Sequence, residues 1–224
     1  MFAQLVMLST IVLLSLIGNR ALKISQRISY FPGKMLSLGL FFVAFGIFTY
    51  MARDILTQFE LYKFQLTIGK AGILFHTLGG VLILQFLTQE FAPERFRKVF
   101  FSMCLLSIAV VLVGLMSFPL VSEVTQAPFE PFPYKVIRHT PAGTPSNVAI
   151  FIFIFGPTLL TGIVLYNTFK LKEKKLRTKG LLYGMGFLFL FLPSLICLFI
   201  SPIYARWGYL IGAILLLKAL RMKV

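Results

Sequence analysis

Few side chains in this chain are equipped for chemistry, so their positions carry most of the information. His76 lies in the apolar run Ile73, Leu74, Phe75, Thr77, Leu78. An imidazole in such a run could bond a carbonyl across a helix bundle, line a ligand pocket, or titrate as a switch. Gly79 and Gly80 follow it and would let a second helix or a ligand approach closely. Asp54 stands beside Arg53, four residues after Tyr50. Asp54 and Arg53 form either a surface ion pair of small consequence or, with Tyr50 and His76, the polar rim of an outward-facing pocket. Ionisable groups at membrane depth are costly and are functional candidates by default. His76, Asp54, Arg53 and Tyr50 are therefore the candidate ligand contacts.

Much other chemistry lacks its residues. The chain has two histidines and two cysteines. His139 falls in a polar segment beside Arg138, so a di-haem core of paired axial histidines cannot be built. The zinc hydrolases of seven-helix type need several histidines with acidic partners. Cys104 and Cys197 are isolated in apolar segments and read as small packing residues. Lys218, near the end of the last apolar segment, is misplaced for a retinal Schiff base. No carboxylate falls at the middle of an apolar segment, which argues against a proton-driven pump. The expectation is a non-enzymatic protein with no cofactor and no metal ligands.

The elements that must position these residues are legible from hydropathy. The chain is 58% hydrophobic over 224 residues, with a mean hydropathy of +0.89. A soluble domain of this size cannot hide that much apolar surface, whereas a lipid-facing one need not. Seven apolar segments are predicted as transmembrane helices at residues 2–17, 35–51, 68–87, 99–121, 148–169, 180–200 and 203–220. The segments lack period-2 alternation, which disfavours a barrel. The fold class expected is all-α: one polytopic domain over residues 1–224. Residues 2–17 lack a basic n-region and a small-x-small cleavage site, so they read as a retained helix rather than a signal peptide.

Charge sets the orientation. Arg20, Lys23, Arg27, Lys34, Arg95, Arg97, Lys98, Lys170, Lys172, Lys174, Lys175, Arg177, Lys179, Lys218, Arg221 and Lys223 follow the odd-numbered segments. They make 16 of the 22 basic residues. The positive-inside rule puts them in the cytoplasm, with the N-terminus outside and the C-terminus inside, in the plasma (inner) membrane. Orientation explains the net charge of +15, so a nucleic-acid partner is rejected. Lys172, Lys174, Lys175 and Arg177 are candidate contacts for anionic lipid or for an acidic partner.

Two outer connections are long. Residues 52–67 mix charges with Leu56, Phe59, Leu61, Tyr62 and Phe64 and suit an amphipathic interfacial helix. Residues 122–147 contain Pro128, Phe129, Pro131, Phe132, Pro133 and Tyr134, a stretch unsuited to helix or central strand, which is either a connector or an aromatic lid. Tyr50, Tyr204, Trp207 and Tyr209 read as an interfacial aromatic belt. Pro157 and Pro193 would kink helices five and six.

The layout resembles the seven-helix sensor domain found N-terminal of bacterial histidine kinases and diguanylate cyclases. The likeness is carried by the short polar link within residues 50–70, the long outer loop before helix five, the basic stretch 174–184 that feeds helix six, and the final helix 208–220. It implies a bundle that binds a small or lipophilic ligand near the outer face. In that family helix seven continues into a signalling domain. Here the sequence ends at Val224, so the expectation is signalling through a separate membrane protein partner. Two further functions fit the same features: a non-catalytic accessory subunit of a larger membrane complex, and a small-solute transporter.

Overall fold

A computed structural model describes residues 2–59, 61–91, 94–117, 123–126, 135–138, 158–159, 161–199 and 202–222. The body is helical: α1 (Phe2–Arg27), α2 (Phe31–Gln58), α3 (Tyr62–Phe91), α4 (Glu94–Ser117), α5 (161–169), α6 (Lys174–Phe199) and α7 (Pro202–Arg221). Among the described residues, four helices are long and apolar enough to cross a membrane: Gln4–Arg27, Phe31–Gln58, Phe64–Glu90 and Arg97–Met116. The chain is a membrane protein.

The helices outrun the apolar segments that announce them. Helix α2 begins four residues before the predicted 35–51 and ends seven after it, and α3 begins six residues before 68–87. Hydropathy marks only the stretch that lipid would solvate, whereas backbone hydrogen bonding continues through Arg20, Lys23, Arg27 and Arg53 at the helix ends. The expected interfacial helix at 52–67 is therefore absent as a separate element. Its described residues complete α2, which ends at Gln58, and begin α3, which starts at Tyr62. There the Leu61 N–H donates to the Leu56 carbonyl.

Helix α1 ends similarly. The Tyr30 N–H donates to the Ser25 carbonyl at 2.8 Å, while Ser29 takes a left-handed φ of 50°, the conformation of a Schellman-type end. Pro32, in the first turn of α2, costs nothing because its missing donor would be unused there.

An addition to the expected helices is an antiparallel ribbon of β1 (Glu123–Gln126) and β2 (Lys135–Arg138), with Val124 opposite Ile137. Strand β2 packs against α2. The proline-aromatic stretch between the strands, residues 127–134, lies outside the described residues, and so do His139 and Pro157. Pro193 lies within α6.

Packing is most extensive between α2 and α3 and between α6 and α7. Small residues make both pairs possible. A Cβ on Gly79 would lie 2.7 Å from the Gly39 carbonyl oxygen, and one on Gly212 would lie 2.6 Å from that of Gly186. Helix α1 packs on both α2 and α7, α6 reaches α3, and α4 rests on α3. Leu14, Leu40, Ile47, Ile83, Leu87, Phe187, Leu190 and Leu216 form the core of this arrangement.

Buried hydroxyls are satisfied within their own helices. Thr10, Thr57, Thr77 and Thr168 each donate to the carbonyl four residues earlier, at 2.7–2.9 Å. Ser37 instead donates across to the Gly18 carbonyl at 2.8 Å, tying α2 to α1. In lipid, where water cannot help, these bonds keep polar atoms paired.

Candidate functional site

His76 is completely buried. With α3 beginning at Tyr62, it lies about 21 Å along the helix at 1.5 Å per residue. That is the middle of α3, deeper than its position in the apolar segment suggested. Three aromatic rings from three other helices surround it. Tyr50 of α2, Phe191 of α6 and Tyr209 of α7 lie 6.0, 5.9 and 5.7 Å away between ring centroids. The backbone of Leu190 on α6 also acts on the imidazole. Helix α2 can approach because position 46 is glycine: a Cβ there would lie 3.0 Å from the His76 amide nitrogen and 3.1 Å from the Gly72 carbonyl oxygen. Gly72 in turn leaves room for the Tyr50 ring, which a Cβ at position 72 would meet at 2.5 Å.

One turn before the end of α2, Asp54 is 1% exposed. Its Oδ1 accepts from Arg53 Nη2 at 3.0 Å and from Arg53 Nε at 3.3 Å. Its Oδ2 accepts from Arg206 Nη2. Arg206 comes from the first full turn of α7 and is 4% exposed. The Arg53 guanidinium stands over the Tyr50 ring, 5.4 Å from its centroid, a distance typical of cation–π attraction. Beyond it, Thr57 Oγ1 lies 3.0 Å from Gln65 Oε1, joining α2 to α3 through a hydroxyl proton shared with the Arg53 carbonyl. From this end inwards, the polar groups form one column, buried except for the half-buried Tyr50: Gln65 and Thr57, then Arg206, Asp54 and Arg53, then Tyr50 and Tyr209, then His76.

The column joins all four sequence-derived ligand candidates, His76, Asp54, Arg53 and Tyr50. It also contains Arg206, which sequence reading did not count as a site residue, and Tyr209, which it assigned to an interfacial aromatic belt. Tyr209 is 6% exposed and packs on His76, so it is not part of an interfacial belt. Its neighbour Trp207 is exposed. Arg206 carried a signal. It stands four residues into an apolar helix, where a cation needs an anion, and Asp54 is the chain's sole aspartate.

The opposite end of the bundle is basic. Tyr30 in the α1–α2 turn donates to Glu90 Oε1 at the end of α3. Lys179 of α6 and Arg97 of α4 are close enough to act electrostatically on the Glu90 carboxylate. Glu90 thus links the end of α3 to the α1–α2 turn, α4 and α6. Lys172, Lys174 and Lys175 are exposed and Arg177 is half-buried. They are not gathered with His76, and three of them occupy the first turn of α6. Among the described residues no group of three or more His, Cys, Asp or Glu side chains could hold a metal ion.

No protein-family model, curated protein or solved structure matches this chain.

Proposed function

We propose that the chain is a seven-span, non-enzymatic plasma-membrane protein of sensor type, with its N-terminus outside and its C-terminus in the cytoplasm. In this reading it binds a small or lipophilic ligand in the column headed by Arg53, Asp54 and Arg206 and floored by His76, and signals through a separate partner. The observation that carries the reading is the column itself. Charged groups inside an apolar bundle are expensive and are retained for a purpose, and these ones join α2 to α7, while His76 of α3 meets α6 through Phe191. A ligand that prefers one arrangement of those helices would shift the population between arrangements. The exposed Lys172, Lys174 and Lys175 at the other end suit anionic lipid. They also stand where the helix dipole disfavours cations and would welcome a phosphate.

The test is to purify the full chain in mild detergent, wild type beside His76→Leu, and identify by mass spectrometry what co-purifies. A small molecule near one-to-one with wild type and depleted in a folded His76→Leu supports the sensor reading. Absence of any small molecule, with stoichiometric membrane proteins instead, sinks it in favour of an accessory subunit.

That second reading has its own observation. Helix α4 packs on α3 and shows an apolar surface, with Leu106 66%, Val113 60% and Met116 82% exposed. Lipid covers such a face without further help, so the subunit reading ranks second.

A further inference from the structure

We propose that Arg53 and Arg206 form an exchangeable anion site, in which the carboxylate or phosphate of an amphipathic ligand takes Arg206 from Asp54. The inference rests on the ligand-binding reading above and names the chemistry of the ligand.

Arginine stays charged in a protein, and a buried guanidinium must keep an anionic partner, because leaving it bare costs several kcal/mol. Asp54 divides its oxygens, Oδ1 to Arg53 and Oδ2 to Arg206. Whatever displaces Asp54 from Arg206 must therefore be an anion itself; a neutral or cationic ligand would strand the guanidinium. The planar fork of arginine matches both carboxylate and phosphate.

Position makes the exchange consequential. Helices α2 and α3 are one tight pair and α6 and α7 another, whereas α2 and α7 lack close backbone packing among the described residues. The Asp54–Arg206 bond is thus a polar latch between two packed pairs that α1 also bridges, and releasing it would loosen their link at this end of the bundle. The latch lies one turn below the bundle end. There Phe59, Leu61 and Phe64 are 72%, 48% and 58% exposed and offer an apolar landing for the ligand's tail.

The chain supplies its own reporter. Trp207 is the only tryptophan and adjoins Arg206. The experiment is to place the full chain in phosphatidylcholine nanodiscs and follow Trp207 emission during titration with oleate, oleyl alcohol, oleylamine and inorganic phosphate. The expected result is a saturable shift with oleate and none with the alcohol or the amine. A matching shift with phosphate assigns the site to free anions; silence with phosphate assigns it to anionic amphiphiles. Arg206→Gln should weaken the oleate response by about tenfold or more, Arg206→Lys should restore part of it, and Asp54→Asn should strengthen it about tenfold by removing the competing carboxylate. Opposite signs for the two positions separate exchange from simple loss of structure, and Asp54→Asn still decides if Arg206→Gln does not fold.

Equal shifts with the alcohol overturn the anion site and leave ligand binding standing. A response unchanged by either variant reports partitioning into lipid and overturns it as well, as does silence with every probe. Co-purification of a small molecule is scored independently of all three.

Discussion

Asp54 on α2 and Arg206 on α7 are 152 residues apart in sequence, yet Arg206 Nη2 donates to Asp54 Oδ2 with both side chains almost fully buried. That bond closes the bundle between its first and last thirds, at the end opposite most of the basic residues.

Removing one member of a buried pair leaves the other uncompensated. Asp54→Asn should therefore destabilise the protein by about 3–5 kcal/mol. Adding Arg206→Gln to Asp54→Asn should cost less than the sum of the single changes, with a coupling of about 0.5–3 kcal/mol. Reversible unfolding of the four proteins in one detergent checks this. Strict additivity would mean that the pair does not act as a unit.

Helix packing gives a matched glycine test. A Cβ on Gly79 would press on Gly39 and Val43 backbone atoms at 2.7 and 2.8 Å, whereas one on Gly162 would meet nothing within 4 Å. Gly79→Ala should cost about 1–3 kcal/mol by forcing α2 and α3 apart. Gly162→Ala on α5 should be neutral or stabilising by up to about 1 kcal/mol through helix propensity. Melting temperatures of the two variants should move in different directions or differ clearly in size.

His76 fills its space within the ring of Tyr50, Phe191 and Tyr209. His76→Ala should leave a cavity and cost roughly 2–5 kcal/mol, and His76→Leu, nearer in volume, should cost less. Thermal melts in nanodiscs rank the two. If Ala and Leu were equally tolerated, the packing described around His76 would be wrong.

Ser29 adopts a left-handed φ of 50° at the end of α1. Ser29→Gly should stabilise by about 0.5–1 kcal/mol, since glycine adopts that conformation without strain. Chemical denaturation of wild type and variant would show the gain, and a loss would indicate that the serine side chain contributes something glycine cannot.

Orientation yields a labelling test. In a variant lacking Cys104 and Cys197, Leu61→Cys in the α2–α3 turn should react with a membrane-impermeant maleimide in intact cells. Ser29→Cys in the α1–α2 turn should react only after permeabilisation. The reverse pattern would invert the proposed topology.

The sequence by itself determined that the chain is a membrane protein built of apolar helices, because lipid allows only a narrow set of backbone solutions and hydropathy reports them directly. It also singled out His76, Asp54, Arg53 and Tyr50, since polar groups in apolar runs are few. Helix ends were less legible: α2 runs on to Gln58 because backbone bonding continues past the point where hydropathy falls. The tertiary structure alone decided the partners. Arg206 and Tyr209 reach Asp54 and His76 from α7, and Phe191 reaches His76 from α6. No local periodicity encodes that meeting, which depends on how Gly46, Gly72, Gly186 and Gly212 let the helix pairs close.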